Sequence, residues 1–596
     1  MAELYNTLVP RTDLKGKLRK FDNIVTVVKT GYGNYVCTDP TYANDSACIQ
    51  AALDYISSLG GGTLYLQGHF ICPTQLLYTG SNLTVIGDDA NTVLDFSTAG
   101  STVWAIYVHG ALSTTNALLA SNGSVSNHTI TVASGEGTKF AAGDWIRVRS
   151  EQIYHDILTS RVKKHAEIQQ ISSVAGDVIT LKESLLMNYL TSYTATVDLV
   201  TMREQITFRD FKIVGLSTHQ NLGIVCEYCY DVKIENVTSV GMVVLAIRLD
   251  QVVCGNVEKC TISGSNKDQL GYGIAVVNAC RNITGTKNKF SDCRHGIACG
   301  GDWTYGVQFN QIYTDNIQSY DRYGAGMFGM HNSYDGLIVS NNTCNGGRLG
   351  YFEANNNIIT ENIFHDVTGG DGILLGVYVD GAVISGNIGT LVSNGAGVQV
   401  NDGSKNITID HNRINSHVYS VRLEGKCENV IIDGNVLTST GDTTIQVTNA
   451  SDSVGGASHV SIVNNTIHAN GFKCIDIGAG YYDINTIKIA DNDCITAGTS
   501  YPCIQLGGDA AGLYTINKAQ IKGNQCDGGS RGIALLCTDD AHVMGNHIQN
   551  ATTGILISSA YASCVSYTVE NNKISDCTTA VTDQAAAADG IVRNNS

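Results

Sequence analysis

Ser385-Gly386-Asn387, Asp410-His411-Asn412 and Asp433-Gly434-Asn435 put an asparagine at the same point of three successive units, about 20 to 30 residues apart. The series runs back through Thr360-Glu361-Asn362 to Ile234-Glu235-Asn236, and forward through Asn465, Asn492, Asn524, Asn546 and Asn572. A fixed period of this size marks a stacked solenoid. Each unit also carries a short apolar strand opened by a small residue, as in Gly273-Ile274-Ala275-Val276, Gly397-Val398-Gln399-Val400, Gly532-Ile533-Ala534-Leu535 and Gly554-Ile555-Leu556-Ile557. Two or three such strands per unit leave no room for helical repeats, so the pattern predicts an all-β parallel β-helix of about fifteen rungs.

Successive residues of a strand face opposite ways, so the Ile, Val, Leu and Cys positions form the inside and their neighbours the outside. The recurrent asparagine is expected to take left-handed backbone at a turn and to hydrogen-bond to the next rung. Cys344, Cys494 and Cys526 fall two residues after it, where other units carry Ile414 or Ile574, and so read as small core hydrophobes. Near the start, Ile49, Ala52, Leu53 and Ile56 make a helical stripe ended by Gly60-Gly61-Gly62. That predicts a helix, capped by Asp45, which closes one end of the stack. Residues 124–186 interrupt the repeat with Thr129-Ile130-Thr131-Val132, Trp145-Ile146-Arg147-Val148 and Val178-Ile179-Thr180-Leu181, and read as an inserted β-subdomain. The expected organisation is therefore a lead-in or attachment segment over 1–30, the capping helix and first rungs over 31–123, the insertion, and the β-helix proper over 187–596.

Composition narrows the partners. The chain has 64 Gly, 4 Pro and 15% charged residues, as a folded, turn-rich β protein does. No run of about 18 or more apolar residues occurs, so membrane insertion is not expected, and Met1 to Phe21 is polar and basic without the apolar stretch of a signal peptide. A formal net charge of -17 opposes nucleic acid as a partner. The 19 cysteines are odd in number and scattered, and Cys226-x-x-Cys229 is the only CxxC, so no metal or cofactor is expected.

The stretches Asp45-Ser46-Ala47-Cys48-Ile49-Gln50-Ala51-Ala52-Leu53 and Gly60-Gly61-Gly62-Thr63-Leu64-Tyr65-Leu66 resemble the N-terminal segment of the pectate-lyase-like β-helix superfamily, which includes phage tailspikes and capsule depolymerases. Gln67 stands where that pattern usually has proline. Arg294-His295-Gly296-Ile297 and Met327-Phe328-Gly329-Met330-His331 resemble short stretches of the phage-type members, although Gly329 replaces an acidic residue. The resemblance implies a right-handed, single-stranded β-helix, a polysaccharide partner, a parallel homotrimer, and a place on a virion tail or outside the cell. It implies glycoside hydrolysis or polysaccharide lysis. A non-catalytic glycan-binding fibre or adhesin and a polysaccharide epimerase are the alternatives, because fold does not fix function.

Chemistry on a solenoid belongs on its outer face and loops. Charged and aromatic residues are densest from Cys293 to Asn355. Glu353, His331, Asp302, Asp321, Asp335 and His295 are the candidate catalytic groups, and Arg294, Trp303, Tyr305, Arg322, Tyr323 and Arg348 the candidate substrate contacts. Hydrolysis needs two carboxylates roughly 5 to 5.5 Å apart for retention or about 6.5 to 9.5 Å for inversion, and equivalent positions about 4.8 Å apart per rung, taken on neighbouring or once-removed rungs, bracket both values. Glu353 with Asp302, Asp321 or Asp335 would serve. Elimination needs a base and a cation, such as His331 or Tyr323 with Arg294, Arg322 or Arg348. If Tyr351 fills an inward slot, Glu353 also points inward, so either the register shifts or Glu353 is a tuned group. Gln399, Arg422, Gln446, Asp476 and Gln505 are expected to form an outward polar stripe further along.

Overall fold

The computed structural model describes residues 23–155, 163–300, 305–319, 325–392, 394–449, 453–508, 514–558, 564–585 and 589–596. They form a right-handed parallel β-solenoid of about 19 turns, more than the asparagine spacing implied. The earliest rungs lack the asparagine: Ile24–Val28 already pairs in parallel with Gly62–Gln67, and Leu83–Ile86 pairs with both Gly62–Gln67 and Arg203–Val214. Strand formation thus begins inside the segment read as a lead-in, while Met1 to Lys20 lies outside the described residues.

Each full turn contributes to three stacks. The first contains Trp104–His109, Leu222–Glu227, Leu245–Asp250, Tyr272–Val277, His295–Gly300, the start of Phe328–Ser340, Gly350–Asn355 and Ile373–Leu375. The second and third are typified by Lys405–Asp410 and Arg413–Ser416. Inward side chains merge into one continuous core that runs from Val25 to Val569 and includes Cys226, Cys229, Cys344, Cys494 and Cys526.

The asparagine ladder sits between the second and third stacks. Each ladder amide from Asn288 to Asn572 is buried, and its side-chain oxygen or its successor's accepts both a backbone and a side-chain N–H across the rung gap; Asn387 donates both to Asn412 Oδ1 at 2.9 Å. The left-handed backbone falls on the residue before, such as Glu361 (φ 56°), His411 (φ 53°) and Asn464 (φ 56°), which corrects the expectation that one asparagine does both. Asn236 occupies that preceding position (φ 52°) and bonds to Asp210 instead of joining the ladder.

The capping helix spans Asp45–Ser58, and Asn44, not Asp45, caps it by accepting from Ala47 N at 3.0 Å. Asp45 is free to pair with Lys29 (2.5 Å) and to accept from Ile71 N (2.6 Å), which fastens the helix to the first rungs. The insertion is a separate six-stranded antiparallel sheet in which two neighbouring strands come from either side of 124–186, Thr196–Thr201 and the edge strand Ala111–Leu118. It packs on the corner between the first and second stacks: Trp145, Ile168, Val200 and Met202 meet Tyr228, Val253 and Ala279, and its larger core takes in Val307 and Phe309.

Candidate functional site

The first stack settles the register around Glu353. Phe352 is fully buried and packs on Phe328 with ring centroids 6.1 Å apart, so Tyr351 and Glu353 occupy the outward positions on either side of it. The inward placement of Tyr351 is thereby overturned. Glu353 is nonetheless only 3% exposed. Its burial is on the outer face, under its neighbours. The Tyr351 hydroxyl donates to Glu353 Oε1, His331 Nδ1 stands 3.9 Å from Oε2, and the His331 and Tyr351 rings lie 5.2 Å apart. Gly376, in the equivalent place one rung on, leaves the space: a Cβ there would come within 2.3 Å of Glu353 Cγ. His331, with 30% of its side chain exposed, is far more open than Glu353.

The other candidates divide. His295 is buried and its Nδ1–H donates to the Gly326 carbonyl at 2.8 Å, while its ring stacks near Tyr272. Burial, helped by the charges of Arg294, His331 and Arg348, pulls its pKa down to about 3, so it stays a neutral structural ring at ordinary pH. Arg294 lies over the Tyr272 ring at 5.9 Å and donates to Gln269 O. Asp335 sits past the corner and accepts from Asn356 Nδ2 (2.7 Å) and from the Tyr154 hydroxyl (3.3 Å), tying a strand of the insertion to the solenoid. Tyr305 serves the same seam: its hydroxyl bonds to Glu151, and Arg147, Arg149 and Lys164 surround its ring at 5.1 to 5.8 Å. Arg348 borders Gly326 and Gly370, close enough for its charge to act on His295. Asp302, Trp303, Asp321, Arg322 and Tyr323 lie outside the described residues.

Beyond Tyr351 the same face continues into an open depression of about 790 Å³ lined by Asp371, Asn394, Gln399 and Arg422, with glycines 369, 370 and 395. Burial pushes the Asp371 carboxyl up, against the pull of its bond from Ala396 N. Gln399, Arg422, Gln446, Asp476 and Gln505 are Cα partners on consecutive rungs, as the alternation implied. Much of that stripe is internally paired, through Arg422 with Glu424 and Lys473 with Asp476. Asp371 and Asn394 went unrecognised in the sequence because they precede their strands, where alternation carries no signal.

Residues 272–454 match the family model described as "Right handed beta helix region". A stretch of 221 residues, 35% of the chain, is 24% identical to a capsule K1-specific depolymerase of Klebsiella phage K64-1, and spans only 24% of that protein's length. Among solved structures, tailspike gp61 of Pseudomonas phage phi297 superposes with a TM-score of 0.56 at 17% identity, over 70% of this chain and 72% of that one. Tailspike gp49 of Pseudomonas phage LKA1 gives 0.52 at 15% identity, over 84% and 78%. The architecture of this chain is therefore the right-handed parallel β-helix found in phage tailspikes.

Proposed function

We propose that this chain is a polysaccharide depolymerase, carried on a phage tail, that cleaves capsular glycan on a bacterial surface, with its reacting centre at Glu353, His331 and Tyr351. The observation that carries the reading is the Glu353 carboxylate, withdrawn from water on the solenoid's outer face yet bonded to a phenol and facing an imidazole. Such a group has protein partners and a route to a bound sugar through Tyr351 and His331. The adjoining depression gives an extended chain somewhere to lie. The likeness to a capsule depolymerase supports the substrate class.

In hydrolysis Glu353 is one of two carboxylates, exchanging a proton with the glycosidic oxygen or the attacking water, and Asp302 or Asp321 supplies the second. Elimination is the second reading, favoured by the commitment of Asp335 to Tyr154 and Asn356. There His331 or Tyr351 takes the proton beside a uronate carboxylate, and Arg348 offsets the developing charge.

Incubation with purified capsular polysaccharides separates the two chemistries: hydrolysis gives new reducing ends alone, and elimination adds unsaturated-uronate absorbance. Glu353→Gln is expected to lower turnover about a hundredfold or more with glycan binding retained, and His331→Ala to do so for elimination. Near-normal turnover in both folded variants places the centre on other rungs.

A further inference from the structure

The first stack carries a second cluster built like the one at Glu353. The Tyr107 hydroxyl bonds to Glu227 Oε2 and lies 2.6 Å from His109 Nδ1, and His109 Nδ1 is 3.1 Å from the same carboxylate. The positions correspond. Tyr107, Val225, Arg248, Ala275, Ala298, Gly329 and Tyr351 are successive Cα partners in one outward column. His109, Glu227, Asp250, Val277 and Gly300 follow one another in the next column, which continues to His331 and Glu353. In both clusters a histidine on one rung faces a glutamate in the same column on the next, and a tyrosine from the neighbouring column closes the triad.

Two further features suit the first triad to a sugar. Trp104 stands edge-on to Tyr107 with centroids 4.4 Å apart, on the same strand, and offers an apolar ring surface beside the polar groups. Arg248 forks onto Asp250 Oδ2 through Nε (3.2 Å) and Nη2 (2.7 Å), and Asp250 also accepts from Asn278, so this carboxylate is fixed one rung from Glu227. Between the triads the outward positions hold Ala275, Ala298, Gly329, Val277 and Gly300, small residues that are buried except for the half-buried Val277. The inserted sheet stands along one side, seated on Tyr228, Val253 and Ala279, the turns that directly follow the second column. The two polar triads thus share one face of the first stack.

We infer that Tyr107, His109 and Glu227, with Trp104 and the Arg248–Asp250 pair, form a second glycan-binding site that grips the same polysaccharide chain held at Glu353. The inference rests on the glycan-cleaving reading above. Five rung steps separate Glu227 from Glu353, about 24 Å at the usual strand spacing, a span of several sugar rings. With Arg248 forked onto Asp250, Glu227 is the acceptor that the site presents, so the site takes a sugar that offers hydroxyl or amino donors. Hydroxyl groups would donate to Glu227 and the ring's apolar face would lie on Trp104.

The test uses the full chain carrying Glu353→Gln, titrated with an intact capsular polysaccharide and with its single-repeat fragments. Adding Glu227→Gln or Trp104→Ala is expected to lower affinity for the intact polymer about tenfold relative to affinity for the fragments. Tyr107→Phe, which removes only a hydroxyl, guards against misfolding and should shift the same ratio in the same direction. An unchanged ratio in all three folded variants overturns the second site while leaving the Glu353 reading intact. No binding of any glycan by the parent protein overturns both. Loss of turnover in Glu227→Gln but not in Glu353→Gln, each made alone, shows the catalytic centre lies at the first triad and overturns its accessory role.

Discussion

At the scale of single residues, the outer face of the first stack uses glycine to make room for large polar side chains. A Cβ at Gly329 would lie 2.7 Å from His295 Nε2, as one at Gly376 would crowd Glu353. His295, sealed under that contact, has a measurable signature. Its folded pKa of about 3 is below the ordinary value of 6.5. Between those two pH values the unfolded chain binds a proton that the folded chain refuses. Stability contributed by the neutral ring is therefore present above pH 6.5 and is lost as pH falls toward 3, at up to about 1.4 kcal/mol per pH unit. His295→Gln keeps a donor for the Gly326 carbonyl and removes the titration. Thermal unfolding of both proteins from pH 7 to pH 4 should show a shallower acid loss in the variant. Parallel loss in the two would mean that His295 is protonated in the folded state.

At the scale of the repeating element, the turn divides two jobs between adjacent residues, and the division is testable. Asn412 Oδ1 accepts the backbone and side-chain N–H of Asn387, and its own amide donates to Ile384 O, Asp410 O and Asn435 Oδ1. Asn412→Ala leaves buried groups on both neighbouring rungs without partners and should cost about 2–4 kcal/mol. Asn464 needs only its positive φ and a surface bond to Asp433, so Asn464→Gly should be nearly neutral. Hydrogen exchange is expected to show lost protection around residues 387–435 in the first variant and none in the second. Equal effects would mean that the buried amides add nothing beyond the turn. The ladder was legible in sequence because unit after unit repeats one chemically distinctive residue about 20 to 30 residues apart, although Asn288, Asn316 and Asn342 joined it only in the structure. Alternation also revealed the outward stripe from Gln399 to Gln505, since each member sits between two apolar residues. Two things were not legible. Which of Tyr351, Phe352 and Glu353 points inward depends on a one-residue register, because an aromatic side chain fits either face. The Tyr107–Glu227 contact joins residues 120 apart across the insertion, and no local pattern encodes such a pairing.

At the scale of the whole molecule, the second stack shows a face unlike the first. Its outward column runs Ile312, Ile338, Ile358, Val383, Thr408 and Ile431, each the Cα partner of the next. Four of these are well exposed, at 37% for Ile312, 41% for Ile358, 39% for Val383 and 44% for Ile431. Single exposed aliphatic residues are ordinary, but a row of them along a rigid rod, broken only at Thr408, suits a contact surface. A partner that covers such a line must itself be long and straight, and a parallel second copy of this solenoid meets that requirement. The homotrimer implied by the resemblance to tailspikes is thus the assembly we propose, with this stripe facing a neighbouring copy. Sedimentation at micromolar concentration should give three times the chain mass of 63.4 kDa. Ile358→Lys combined with Val383→Lys should release monomers with an unchanged far-ultraviolet spectrum, because both side chains point away from the core. Both triads lie on the first stack of one chain, so the released monomer should still cleave short glycan fragments at a rate near that of the trimer. A wild-type monomer, or a trimer that survives both lysines, would refute this face as the interface.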